Sequence, residues 1–358
     1  MLSRLKLHDF RCFEVLEFDA VPGPQFFVGD NAQGKTSILE AICVLLRLSS
    51  PRSTQLAPLI RTGGRGFAVQ GSFNARHLQF YFSPERKKLV LDSVEQTGTA
   101  EYLRVAKLVC FSNSDLELVR GGSEGRRKFL DFLGGQIEPL YRSNARAYER
   151  ALRSRNRLLK ANPIRHREVE AYNQPLIETG EMLTHLRRNL VTELSPWAER
   201  SYRSVAAERQ GEAEHLGLTY EPGAGESLAE RLAATREEEM RLRQTFVGPH
   251  RDDMAVLIDG QAAGTYASEG QQRTAALSLR LAQAGLLDAV WKKPPILLLD
   301  DTFGELDPAR RNALIAALPA GAQQFIATTH LQWLHEPPEG PVWRVEDRTV
   351  ELTTAGGS

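Results

Sequence analysis

The stretch GDNAQGKTS, Gly29–Ser37, sets two glycines with four residues between them and closes on Lys-Thr-Ser. That spacing suits a polyphosphate. Glycines let backbone N–H groups approach phosphate oxygens, and a helix that follows aims its positive end at them. Asn31 and Gly34 belong to the loop. Lys35 reaches the outer phosphates as a point charge, the Thr36 hydroxyl suits Mg2+, and Ser37 supports it. A glycine-rich turn can give such a match by chance, so the flanks matter: QFFVGD reads as a short buried strand and SILEAICVLLRL as a helix, the context a phosphate loop requires. A second candidate is ILLLDD, 296–301, an apolar strand ending in acids. Alone it is a common strand end. Paired with the loop, Asp300 is expected to hold Mg2+ and Asp301 to orient an attacking water. His330 ends the next apolar strand, QQFIATTH; a lone histidine there is more often a plain surface residue.

These residues need a scaffold, and the two ends of the chain supply it. Leu5 and Leu7, then Phe13, Val15 and Phe18, predict two strands joined near HDFRCF. FAVQGSF, LQFYF and KKLVLDSV read as a further antiparallel set, and KLVCFS as a core strand. MAVLID, an Asp259–Gly260 turn and QAAGTY predict a hairpin. A helix is expected from LDPARR, with Asp307 as N-cap and Pro308 at the first helical position. Between about 136 and 244 the pattern is helical and charged. There Arg142, Arg146, Arg150, Arg153, Arg157 and Lys160 follow each other at three- and four-residue spacings, a single basic stripe on a helix. Tyr141, Ala145, Tyr148, Leu152 and Leu159 form the adjacent apolar stripe that fixes it. Arginines in a row suit a phosphate backbone without sequence readout. The bland alternative is a solvated face, or pairing with Glu237, Glu238 and Glu239 on a neighbouring helix. GRRK, 125–128, is a second, weaker basic candidate.

Bulk composition decides little more. The chain has 358 residues, with Lys+Arg and Asp+Glu equal at 45 each, so only local charge can speak for a nucleic-acid partner. Cys12, Cys43 and Cys110 lie far apart, which argues against a disulfide framework and for a cytoplasmic setting. The N-terminus carries charges every few residues, unlike a signal peptide, and the apolar runs are too short to span a bilayer, so no membrane association is expected.

SEGQQR, 268–273, opens another helix, RTAALSLRLAQAGLL. Ser268, Gly270 and Gln271, followed by Gln272, resemble the Ser-Gly-Gly-Gln signature of ABC-type ATPases, with Glu269 in place of the first glycine. GELD, 304–307, follows the acidic strand as the D-loop does, with Asp307 closing it, and His330 stands where the switch histidine stands. With LHDFRCF and GPHRDD added, the points of contact run from residue 7 to 311 and are similar to the RecF family of DNA repair proteins. The resemblance implies an α/β fold: an ABC-type ATPase head, a P-loop core plus an antiparallel β subdomain, with an inserted helical second lobe. The head would comprise 1–135 and 245–358, the lobe 136–244. ATP and Mg2+ are the implied cofactors. Also implied is a homodimer on ATP binding, in which Lys35 and Asp300 of one subunit meet Ser268 and the helix start near Gly270 of the other. Arg11 would touch the nucleotide, and Asp301 and His330 would serve hydrolysis. DNA, duplex or gapped, and RecR-type and RecO-type mediators are the implied partners. Most ABC ATPases have Glu where this chain has Asp301, one methylene shorter, which predicts slow turnover. No Gln after KLVCFSNSDLE matches a Q-loop, and GPHRDD resembles the RecF family without a derivable physical role. A transporter ATPase subunit would need a membrane partner. An SMC-like protein would need a longer heptad coiled coil. A small-molecule kinase would have no use for SEGQQ, GELD and His330.

Overall fold

The computed structural model describes residues 1–53, 55–206, 214–303, 306–334 and 337–353. The chain divides into two compact units. Met1–Asp115 and Gln283–Ser358 make one, Leu116–Ala282 the other.

In the first unit, β1 (Leu2–Phe10) and β2 (Phe13–Asp19) form the expected hairpin. Leu5 faces Phe18 and Leu7 faces Leu16, and these side chains are buried because alternate residues point to one face. The hairpin joins β4 (Phe67–Phe73), β5 (Arg76–Phe82), β6 (Lys87–Leu91) and β7 (Val94–Glu95) in an antiparallel sheet of order β2-β1-β4-β5-β6-β7. The second sheet has the order β15-β14-β3-β13-β12-β8. Its strands are β3 (Pro24–Val28), β8 (Leu108–Ser112), β12 (Ile296–Asp300), β13 (Gln324–Thr328), β14 (Val342–Glu346) and β15 (Thr349–Thr353). All its pairs are parallel except β14–β15. Parallel strands buried on both faces read as continuous apolar runs, as FFV and ILLL do. Helix α1 (Lys35–Arg47) packs on β12 and β13, and α2 (Ala100–Arg104) lies beside it. The α1 C-terminal Arg47 is fully buried and donates to the carbonyls of Leu103 and Ala106. Helix α12 (Pro308–Ala317) starts as expected: the Asp307 carboxylate accepts from the Arg310 N–H.

The second unit is mostly helical: α3 (Glu117–Arg120), α4 (Ser123–Ile137), α5 (Tyr141–Leu159), α6 (His166–Ala171), α7 (Asn173–Val205), α8 (Leu228–Ala234), α9 (Arg236–Leu242) and α10 (Ala263–Tyr266). Helix α11 (Glu269–Trp291) begins here and runs across the division. A small antiparallel sheet, β11-β10-β9, joins β9 (Leu216–Glu221), β10 (Asp253–Ile258) and β11 (Gln261–Ala262). Tyr141, Tyr148 and Ala151 of α5 meet Leu176 and Leu183 of α7, and Leu228 and Leu232 of α8, in one core.

Two expectations change. The units divide after residues 115 and 282, not 135 and 244: α4, the β10–β11 hairpin and the signature sequence group with the helical unit. The second hairpin strand is only two residues long. Beyond it QAAGTY turns into α10, and the Gln272 amide donates to the carbonyls of Ala263 and Ala267 around that turn.

GPHRDD is the joint of the helical unit. Asp252, fully buried, accepts from Arg187 of α7 at 2.8 Å, from the Tyr220 hydroxyl of β9 and from the Gly223 N–H. Arg187 also donates to the Pro249 carbonyl and to Asp131 of α4. Asp253 takes a two-pronged bond from Arg126 at 2.7 and 2.8 Å. Gly248 has φ 124°, and a Cβ there would come within 2.5 Å of the Tyr148 hydroxyl. The motif thus ties α4, α5, α7 and β9 together. Two members of GRRK are used in the same joint, Arg126 on Asp253 and Arg127 on the Asp252 carbonyl, while Lys128 stays exposed in a surface pair with Glu124.

Candidate nucleotide site and basic face

Gly34 caps α1 with φ 112°, a conformation that favours glycine. A Cβ there would meet the Phe13 ring at 2.6 Å and the Cys12 sulfur at 2.8 Å. The loop therefore closes tightly over the β1–β2 turn. Lys35 Nζ folds back across the loop to the carbonyls of Gly29 and Asp30, at 2.7 and 2.8 Å. The Thr36 hydroxyl donates to Asp300 Oδ1 at 2.8 Å, which brings loop and acidic strand together as expected. Burial raises the Asp300 carboxyl above the usual range; the Thr36 hydrogen bond opposes this and the Asp301 charge adds to it. Two hard oxygens on one side, with room for phosphate and water, fit Mg2+, which keeps several non-protein ligands. A bound cation would offset the burial cost at Asp300.

A cavity of about 590 Å3 opens over this loop. Asn31, Gly34, Lys35, Thr36, Ser37, Asp301 and Arg11 line it. Asp301 sits just past β12 at φ 49°, a left-handed backbone that Asp tolerates better than most, and its N–H bonds the Ala327 carbonyl. Arg11, also left-handed, donates twice to the buried Glu40 of α1, at 2.7 and 2.9 Å, and once to the Pro58 carbonyl. It is a fixed wall residue rather than a solvated turn arginine. Arg52, Arg61 and Arg348 line the cavity too, and sequence reasoning missed them. They come from three separate segments and carry no motif. Arg11 and Arg61 are already paired, with Glu40 and with Asp9, so Lys35, Arg52 and Arg348 are the cavity cations with no carboxylate partner among the ion pairs of the described residues, facing Asp301. Cys12 lines the cavity as well; burial raises its thiol pKa.

His330 lies two residues beyond β13, exposed and outside the cavity lining. Asp307 is the cap of α12, while Gly304 and Glu305 lie outside the described residues. No glutamine occupies the end of β8; Ser112 pairs there with Asp300.

The signature residues Ser268–Gln271 form a capping box. The Gln271 side-chain oxygen accepts from the Ser268 N–H at 2.7 Å, and the Ser268 hydroxyl accepts from the Gln271 N–H at 3.4 Å. Ser268 is exposed and Gly270 half-buried. Gln272 differs. It is buried, bonded to Arg120 and to the carbonyls of Ala263 and Ala267, and so holds the preceding turn instead of facing outward.

On α5 the apolar stripe faces the core: Tyr141, Tyr148 and Leu159 are buried, with Ala145 and Leu152 packed against that core. Arg146, Arg150, Arg153, Arg157 and Lys160 are exposed, and Arg142 is half-buried. Arg153 reaches Glu149 across one turn at 3.3 Å, a surface pair of small worth. Glu239 is taken by Arg155, fully buried at 2.7 Å, and Glu238 by Arg241. Arg153, Arg157 and Lys160 line one open notch.

The family model of the RecF/RecN/SMC N terminal domain matches residues 1–339. The DNA replication and repair protein RecF of Symbiobacterium thermophilum is 36% identical, over 99% of each chain. RecF of an Anaeromyxobacter species is 39% identical, over 95% of each. The solved structure of "the recombination mediator protein RecF-ATPrS in RecFOR pathway" matches with a TM-score of 0.88 and 28% identity, over 99% of this chain and 98% of that one. An Smc head bound to the C-winged helix domain of ScpA matches with a TM-score of 0.55 and 13% identity, over 98% and 97%, a likeness of fold alone. The fold is thus the expected α/β ABC-type ATPase head with helical additions. With identity above a third over nearly the full length of its relatives, the chain belongs to the RecF family of DNA replication and repair proteins.

Proposed function

We propose that this protein is an ATP-gated DNA clamp of recombinational repair that acts with RecR-type and RecO-type mediators. The observation that carries the ATPase half is the Thr36–Asp300 bond, which ties the acidic strand to a loop whose Lys35, Thr36 and Ser37 line a cavity together with Asp301 and several arginines. Lys35 would leave its loop carbonyls for the outer phosphates, an exchange of neutral acceptors for charged ones. Mg2+ on Thr36 and Asp300 would neutralise charge on the phosphates. Asp301 orients the attacking water, and its short side chain makes turnover slow. The unit built from both chain ends serves as the nucleotide-holding head; the Leu116–Ala282 unit carries the signature and the DNA-binding face. The signature acts in trans: exposed Ser268 and the α11 N-terminus of one subunit complete the site of the other, so ATP favours the closed dimer. His330 and Asp307 act at that interface. The exposed cations of α5 bind the DNA backbone.

The test is ATP hydrolysis with and without duplex DNA across a range of protein concentration. A slow rate that rises per molecule with concentration, and rises again with DNA, is the expected result. A rate independent of concentration would overturn the dimeric reading; one indifferent to DNA would return the α5 stripe to a solvated face.

A further inference from the structure

Beside the signature lies a bond that a nucleotide does not explain. The Gln271 amide faces two ways: its oxygen accepts from the Ser268 N–H, and its nitrogen donates to Glu214 Oε1 at 2.7 Å. The other Glu214 oxygen accepts from the Tyr202 hydroxyl at 2.6 Å. Tyr202 is fully buried near the end of α7. A continuous series thus runs from α7 through Tyr202, Glu214 and Gln271 to the Ser268 backbone.

At its other end α7 braces the basic helix. Leu176 and Leu183 pack on Tyr148 and Ala151 of α5. Asn144 of α5 donates to the Thr179 carbonyl of α7 at 2.9 Å, and Arg155 to the Asn173 side chain at 2.9 Å.

We propose that Glu214 is a positioning residue for the signature, and that Tyr202–Glu214–Gln271 links the DNA-binding helix to ATP-driven closure. This rests on the in-trans reading above. A carboxylate accepts only, so it fixes which end of the Gln271 amide faces it. That directs the amide oxygen to the Ser268 N–H and holds the cap in one arrangement. Without Glu214 the Gln271 amide nitrogen loses its anchor, and the bond from the Ser268 N–H to the amide oxygen is held less firmly, which loosens the start of α11. The bland alternative is that Glu214 merely satisfies a buried tyrosine hydroxyl.

The test uses the full chain and compares Glu214→Ala, Glu214→Gln, Tyr202→Phe and Ser268→Ala with the parent. ATP affinity of the monomer is read with a fluorescent ATP analogue at low protein concentration. ATP-dependent dimerisation is read by sedimentation, and stimulation of hydrolysis by duplex DNA is measured alongside. Glu214→Ala is expected to leave monomer affinity within about twofold and to weaken the ATP dimer about tenfold, the size of one lost charge-assisted bond. Glu214→Gln still accepts from Gln271 and can donate to the Tyr202 oxygen, so it is expected to recover most of that loss. Tyr202→Phe keeps the Glu214–Gln271 bond and is expected to dimerise normally while losing DNA stimulation. If Ser268→Ala abolishes dimerisation and Glu214→Ala does not, the inference falls and the in-trans reading stands. If Ser268→Ala dimerises like the parent, both fall. Parallel loss of monomer ATP affinity in Glu214→Ala, or normal DNA stimulation in Tyr202→Phe, also overturns the inference.

Discussion

Asp301 holds its carboxylate on a left-handed backbone at the end of a buried strand, and a side chain there can be changed without repacking the core. Asp301→Asn keeps size and loses basicity. It is expected to cut steady-state hydrolysis by about a hundredfold or more, the scale of a lost proton acceptor, with ATP affinity within a few-fold. Radiolabelled ATP turnover beside equilibrium binding checks both. Glu269 is the other residue with a charge to account for. It stands first in α11, exposed, where the signature pattern has glycine, and it reaches Arg273 at 3.1 Å and Arg120 at 3.8 Å. A carboxylate at a helix N-terminus stabilises that helix but competes with an incoming phosphate for the same positive end. Glu269→Gln is therefore expected to tighten the proposed ATP-dependent dimer about two- to fivefold, in line with a charge–dipole energy below about 1 kcal/mol. Sedimentation at low salt reads it; a weaker dimer would mean that the carboxylate itself makes a contact across the interface.

The loop between α9 and β10 shows what a motif can do without touching a ligand. His250 accepts from or donates to the Tyr148 hydroxyl at 2.7 Å through Nδ1, and its Nε2 lies 3.1 Å from the Thr245 carbonyl. Burial lowers its pKa from 6.5 to about 4; the Thr245 carbonyl and Asp252 oppose this, while Arg251 and Arg127 add to it. The unfolded chain binds a proton at His250 below 6.5 and the folded chain does not until about 4. The contribution is whole above pH 6.5 and is lost as pH falls toward 4, up to roughly 3 kcal/mol. Urea unfolding of the parent and of His250→Gln from pH 7.5 to 4.5 should converge as pH falls; a constant gap would refute this. The same helices show how far the sequence could be read. The phosphate loop and the acidic strand were legible because fixed spacing and apolar runs dictate them. Arg155 was legible in principle, since it follows Tyr141 and Tyr148 at intervals of seven and so shares their buried face. Gln272 was not, because the turn it holds forms only when α10 replaces a strand. Nor were Arg52, Arg61 and Arg348, which three distant segments bring to one cavity.

Across the whole molecule, 45 cations match 45 anions, so net charge does not draw the protein to DNA. Binding must come from where the cations are left outward. Around the GPHRDD joint they are consumed by Asp131, Asp252 and Asp253, and inside the helical core by Glu239. Arg146, Arg150, Arg153 and Arg157 of α5, and Lys160 just past its end, stay exposed. The double variant Arg150→Ala/Arg157→Ala removes two of them from the solvent side and leaves Tyr148, Leu152 and Leu159 in place. Backbone contacts release counterions, so each lost contact lowers the slope of log affinity against log salt by about 0.9. The variant is expected to lose about 1–2 from that slope, and to bind duplexes of unrelated sequence with an equal loss of affinity. Monomer ATP affinity should not change, because neither arginine lines the nucleotide cavity. Fluorescence anisotropy on two duplexes between about 50 and 200 mM salt reads all of this. An unchanged slope would mean that the stripe is solvated and that DNA, if bound, is held elsewhere. A loss confined to one duplex would mean that these arginines read bases, which a row of outward cations on one helix face does not explain.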